Sequence, residues 1–164
     1  MQYYFSLIKK ISKSRWISRM PDDRELIAEI DIIGNKTWKN KDGHLHRLGG
    51  PALERSNGSK EWYQNRCLHR LDGPAIECAN GDKYWYQNDL LHRLDGPAIE
   101  CINGEKEWYK NGLRHRLDGP AIEKANGKAW YKNGRRFKNK DTFFRALTKK
   151  EKEAALFSED FLNA

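Results

Sequence analysis

The phrase HRLDGPAIE occurs at 69–77, 92–100 and 115–123, and a fourth version, HRLGGPALE, stands at 46–54. The His-Arg pairs that open it recur every 23 residues, at 46, 69, 92 and 115. A fixed period of this length points to a repeat architecture, in which each unit buries its apolar side against its neighbours and not in one central core. Trp62, Trp85 and Trp108 keep the period. Trp130 comes one residue early, because KANGKAW is one residue shorter than CINGEKEW, and Trp38 belongs to a partial leading copy.

Each unit reads as strand, turn, strand, turn. KEWYKNG at 106–112 is aromatic and ends in Asn-Gly, the strongest short hairpin signal. LRHRLDGPAIEKANG at 113–127 returns and ends in a second Asn-Gly. Its inner Asp-Gly-Pro must interrupt the ladder, since proline has no N–H to donate. One repeat is therefore one β-hairpin, and successive hairpins pair into an antiparallel meander. Residues 28–138 carry no helical periodicity. Composition agrees: 33% charged residues and a mean hydropathy of −0.96 suit no two-layer core, while 12% aromatics with six Trp suit no disordered chain. A thin, elongated sheet fits both.

An aromatic pair, Asn-Gly, a basic residue, His, then Gly and a small strand closing on Asn-Gly, repeated across 28–138, resembles the MORN repeat. It is most similar to the HRxDGPA variety of bacterial, phage and large-virus proteins. Arg47, Arg70, Arg93 and Arg116 stand where a Gly usually follows the His. The fold expected is mainly β, an elongated antiparallel hairpin-repeat (MORN-like) sheet with short capping helices at the N- and C-termini. The resemblance implies a viral inhibitor of a host factor as one role for such a chain.

Three segments follow. Residues 1–27 read as a basic, helical N-terminal cap, with Tyr4, Leu7, Ile8 and Ile11 at helical spacing; 28–138 are the repeats; 139–164 are a helical C-terminal cap in which Thr148 and Glu151 are spaced as a capping box. Caps are expected because bare sheet edges pair with other chains.

The repeat chemistry does not predict an enzyme. Catalysis needs one preorganised constellation, not four copies in a row. Equivalent residues two strands apart lie ~10 Å from each other, too far for neighbouring histidines to share a metal or for Cys78 to bridge Cys101. No catalytic residue, metal site or cofactor is expected, and Cys67, Cys78 and Cys101 are read as reduced thiols of a cytoplasmic protein, in a host cytoplasm if the source is viral. No apolar run reaches the ~18–20 residues that span a bilayer, and the lysines near the start follow its apolar patch, the wrong order for a secretory leader.

Binding is the remaining class. Strand alternation puts Trp62, Trp85, Trp108 and Trp130 on one face and Tyr63, Tyr86, Tyr109 and Tyr131 on the other, one ladder packing on the Ala and Ile of GPAI. The leading expectation is a protein-binding scaffold, immunity-type or inhibitor module using His69, Arg70, His92, Arg93, His115, Arg116 and Tyr63, Tyr86, Tyr109. Arg70 and Asp72 also lie two apart in extended chain, so the pair can brace the Gly-Pro turn instead. The net charge of +8 is uneven: residues 41–123 hold twelve Lys/Arg against thirteen acids, whereas 124–140 hold seven and no acid. A second expectation is thus nucleic-acid binding through Lys124, Lys128, Lys132, Arg135, Arg136, Lys138 and Lys140, with Trp130, Tyr131 and Phe137 as stacking groups. A third is attachment to anionic membrane through residues 1–19.

Overall fold

A computed structural model describes residues 14–20 and 23–156. Its main feature is one twelve-stranded antiparallel sheet. The strands, in spatial order, are Ser14–Met20, Asp23–Ile30, Lys36–Lys39, Leu53–Glu54, Lys60–Glu61, Ile76–Glu77, Lys83–Tyr84, Ile99–Glu100, Lys106–Glu107, Ile122–Lys124, Gly127–Lys132 and Arg135–Phe137. Every neighbour in the sheet is also a neighbour in the sequence of sheet strands, so the meander expected from the repeats is what forms. Three small hairpins, Tyr63–Gln64 with Cys67–Leu68 and its two equivalents, branch off beside it.

The tryptophan marks the branch point. Trp62 donates its N–H to the Ala75 carbonyl at 2.8 Å and accepts from His69 at 3.0 Å, so one residue is bonded to the main ladder and to the side hairpin together. Trp38, Trp85 and Trp108 do the same with Ala52, Ala98 and Ala121. These alanines are fully buried. Ile76 does not join them. Its cross-strand partners are Glu61 and Tyr84, on the tyrosine face, so only the Ala of GPAI packs under the tryptophans.

The charges follow the register. Lys36, Glu54, Lys60, Glu77, Lys83, Glu100, Lys106, Glu123 and Lys128 are successive cross-strand partners, alternating in sign across the sheet. Lys36 and Glu54 close to an ion pair at 3.5 Å, whereas Glu77, Glu100 and Glu123 are bonded to Arg70, Arg93 and Arg116. The turns interlock as well: the side chains of Asn35, Ser59 and Asp82 accept from the N–H of Ser56, Ala79 and Ile102 in the next turn, at 2.8–3.0 Å.

The turns of the three side hairpins and of the last hairpin of the main sheet have two residues at positive φ: Asn65-Arg66, Asn88-Asp89, Asn111-Gly112 and Asn133-Gly134. Both central residues of such a turn must be left-handed, which glycine adopts freely and arginine only at a cost. Arg66, at φ 77, makes the turn without compensation from its own side chain, whereas the carboxylate of Asp89 accepts from Leu68 N–H at 2.7 Å. Arg66→Gly is therefore expected to stabilise the protein by about 1 kcal/mol. Asp89→Gly is expected to give no gain, because it deletes that bond. Thermal melts of the two variants side by side test the contrast.

The ends differ from each other. From Ser14 to Ile30 the chain forms a β-hairpin, with Trp16 opposite Ala28 and Ile17 opposite Ile27. This corrects the helical reading of 1–27 for its described part. The alternation of Leu26 and Ala28, both buried beneath Trp38, is the strand signal there. Tyr4, Leu7, Ile8 and Ile11 lie outside the described residues. At the other end the expected helical cap is present as two helices, α1 (Lys140–Arg145) and α2 (Lys149–Leu156). Asn139 and Thr142 form a capping box on α1, and the predicted box of Thr148 and Glu151 forms on α2. Phe143, fully buried, sits 5.0 Å from the Trp130 ring and 5.4 Å from Phe137, closing a small core with Leu147 and Ala155.

Glu151 ties this cap down. It accepts from Lys132 at 2.7 Å and from Thr148 N–H at 2.7 Å, and these bonds hold its carboxyl down at about 2. A depressed carboxylate stabilises the fold above its ordinary pKa and loses that contribution as pH falls toward the folded value. The cap is accordingly expected to loosen between about pH 4.5 and about pH 2, seen as a change in Trp130 fluorescence. Glu151→Gln should remove the transition from that window.

Candidate functional site

Every arginine of the repeated phrase lies over a tryptophan ring. The guanidinium carbons of Arg47, Arg70, Arg93 and Arg116 sit 4.1, 4.0, 4.1 and 3.9 Å from the ring centres of Trp38, Trp62, Trp85 and Trp108. The rest of each guanidinium is bonded within its own repeat. Arg70 donates from Nε to Asp72 at 2.9 Å, and from Nη1 to the Pro74 carbonyl at 3.1 Å and to Glu77 at 3.0 Å. Arg93 and Arg116 repeat all three bonds. Arg47, with Gly49 where the others have Asp, keeps the bond to the Pro51 carbonyl at 3.2 Å and lies 3.9 Å from Glu54. The turn-bracing geometry foreseen for Arg70 and Asp72 is thus present.

The glycine of Asp-Gly-Pro follows from this packing. A Cβ on Gly119 would lie 2.6 Å from the Arg116 guanidinium carbon, and on Gly73 or Gly96 2.8 Å from the corresponding atom. Glycine is needed there for the close approach of the cation. No positive φ is involved.

The histidines staple neighbouring repeats. Nδ1 of His46, His92 and His115 accepts from the backbone N–H of Asn65, Asn111 and Asn133 in the turn of the next hairpin, at 3.0–3.2 Å. His69 Nδ1 lies 2.9 Å from Asn88 Oδ1. Burial pushes the His115 pKa down.

These groups line three equivalent clefts on the tryptophan face. One, of roughly 510 Å³, lies between Arg47 and Arg70 over Trp62; the next, roughly 450 Å³, between Arg70 and Arg93 over Trp85; the third, roughly 670 Å³, between Arg93 and Arg116 over Trp108. The rims carry Leu48, Leu71 and Leu94, which are 49%, 75% and 76% exposed. The fourth leucine of the series, Leu117, is instead packed against the core under the C-terminal helices. Sequence reading missed these leucines. Their signal was an apolar residue after each His-Arg pair, between two polar groups and outside any strand.

The candidate residues therefore divide. His69, Arg70, His92, Arg93, His115 and Arg116 share the cleft face, while Tyr63, Tyr86 and Tyr109 lie on the reverse face. There Tyr63 donates to Glu61 at 2.8 Å and Tyr109 to Glu107 at 3.0 Å. Burial alone would raise the Glu107 carboxyl, but Tyr109, Lys124 and Arg114 hold it below its ordinary value. Burial and Glu61 raise the Tyr63 phenol.

The basic segment is also partly committed. Lys124 is paired with Glu105 and Glu107, and Lys132 with Glu151. Lys128, Arg135, Arg136 and Lys138 are exposed at the last hairpin, and Lys140 begins α1. Trp130 and Phe137 are inside the C-terminal core, so Tyr131 is left as the accessible aromatic of the three foreseen for base stacking. Of residues 1–19, the segment considered for membrane attachment, 1–13 lie outside the described residues and 14–19 belong to the first strand.

The three cysteines are free. Burial raises the thiols of Cys78 and Cys101, and a bond to Asp89 raises that of Cys67. Among the described residues, no three His, Cys, Asp or Glu side chains converge as metal ligands, and no helix is long and apolar enough to cross a membrane. Comparison with family models, curated proteins and solved structures finds no match for the chain.

Proposed function

We propose that the chain is a MORN-like repeat protein and a non-enzymatic module that binds another protein across its tryptophan face. The observation that carries this reading is the row of three equivalent open clefts, each floored by a Trp–Arg stack and rimmed by an exposed leucine. Aromatic and arginine side chains on a rigid sheet, with apolar groups between them, are what protein interfaces are enriched in. Because the arginines are held by their own repeats, they present a fixed surface and lose little freedom on binding. Scaffold, immunity-type and inhibitor roles all use such a surface.

Photo-crosslinking from single positions tests the face. A photoreactive residue at 71 or 94 is expected to capture a protein from nuclease-treated extract. The same residue at Ile32 or Ile102, exposed at turns on the other edge, is not. Leu71→Asp with Leu94→Asp should abolish the capture while leaving the melting temperature unchanged. Crosslinks from 32 and 102 alone, or loss of all cargo on nuclease treatment, would remove this reading.

A further inference from the structure

The three clefts are alike in plan but not in walls or charge. The cleft over Trp108 is bounded on one side by Ala154 and Ala155 of α2, whereas the other two are lined by repeat residues alone. It also holds a lysine where they hold glutamine: Lys110 occupies the position of Gln64 and Gln87. Arg93 is bonded there to Asp95 and Glu100, and Arg116 to Asp118 and Glu123, so Lys106 and Lys110 are the cations that this cleft adds. In the middle cleft Asp72 and Asp95 stand beside Arg70 and Arg93, and in the first Asp72 alone stands beside Arg47 and Arg70. Lys106 and Lys110 make this end of the row the most basic of the three.

The protein already shows what this surface accepts. At the next position along the row, the C-terminal helices cover Leu117, burying Leu147 and Ala155 against the repeat. Leu94, one repeat back, presents the same kind of side chain uncovered. A second helix laid beside α2 would reach Leu94 and pack against Ala154, whose small side chain permits close approach of helix axes. Its outer flank would meet Lys106 and Lys110.

We infer that this cleft is the anchor for an acidic amphipathic helix of a protein partner, seated on Leu94 and Trp108 alongside α2, with its carboxylates on Lys106 and Lys110. The inference rests on the protein-binding reading above and adds to it the partner's chemistry and point of entry.

A fluorescein-labelled synthetic peptide of about fifteen residues, long enough to hold a few helical turns, serves as the probe. Leu and Phe occupy one face and Glu the other, and a second peptide has Lys in place of every Glu. Titrated into the full chain, the Glu peptide is expected to bind and the Lys peptide not. Amide shifts should concentrate at Leu94, Trp108, Lys110 and α2. Lys110→Gln, which makes the cleft like its siblings, should weaken binding about three- to fivefold, the effect of one partly exposed ion pair. Leu94→Asp should weaken it more than about tenfold, since it removes the apolar seat and adds a like charge. Both positions are exposed, so unchanged melting temperatures check that the fold is intact. Equal binding of the two peptides, no effect of Lys110→Gln, or shifts centred on Leu48 and Leu71 or on Arg135 and Arg136 would overturn the inference. So would displacement of the peptide by a short single-stranded DNA that binds more tightly. Those failures leave the protein-binding reading intact if positions 71 and 94 still crosslink.

Discussion

Arg116→Ala is expected to destabilise the protein by about 2–4 kcal/mol, because it empties a buried site and leaves a half-buried carboxylate without its cation. Arg70→Ala, which removes the same four contacts, is expected to cost only about 1–2 kcal/mol. The difference lies in solvent. The Arg116 side chain is 4% exposed beneath the C-terminal helices, against 21% for Arg70 and Arg93. Without its cation, Glu123 keeps a carboxylate in a half-buried place, and Trp108 loses the group stacked on it. Arg116→Lys should recover little, because an ammonium cannot serve the ring, Asp118, the Pro120 carbonyl and Glu123 together. Urea unfolding of the three variants checks the order. Equal losses at 70 and 116 would mean that covering by the helices adds nothing.

The second large effect belongs to Phe143. Its ring is fully buried between Trp130 and Phe137, where a repeat would otherwise set an arginine on the indole. Phe143→Ala should cost about 3–5 kcal/mol, from lost burial and the cavity left behind. The loss should fall on the C-terminal end, since units of a repeat array touch only their neighbours. The expected signature is a red shift of Trp130 emission and loss of helical circular dichroism before the sheet melts. A single transition, with sheet and helices lost together, would show that the cap is not a separable unit.

Much of this architecture was legible in the sequence. The 23-residue period gave the meander, Asn-Gly gave the turns, and the short KANGK link is the tight turn in which Lys124 pairs directly with Gly127. The direction of the arginines was less plain. Local spacing suggested a brace to Asp72, but the stack on Trp62 joins residues on either side of the side hairpin, and only the fold brings them together. The glycine between Asp and Pro could be taken for a turn residue alone, although its role is to admit a guanidinium. The N-terminal segment misled for a different reason. Strand 23–30 has the buried pair Leu26 and Ala28 on an alternating pattern, and that pattern was outweighed by helical spacing earlier in the chain. Charge counting overstated the basic end, because Lys124 and Lys132 find their carboxylates in other elements.

Four near-identical phrases also pose a problem of address. A strand such as Ile76–Glu77 would find the same tryptophan, arginine and lysine partners one whole unit away, and a skipped unit costs only a loop. What tells the copies apart is the set of positions where they disagree. Opposite the isoleucines stand Glu61, Tyr84 and Glu107 in turn. Glu61 takes its cation, Arg55, from the chain before it, whereas Glu107 takes Arg114 and Lys124 from the chain after it, so the two copies are paired from opposite sides. The three turn clasps likewise use asparagine, serine and aspartate. Making every copy match its consensus would keep each local contact and erase these labels, so the expected outcome is a chain that folds into several registers and exchanges strands between molecules.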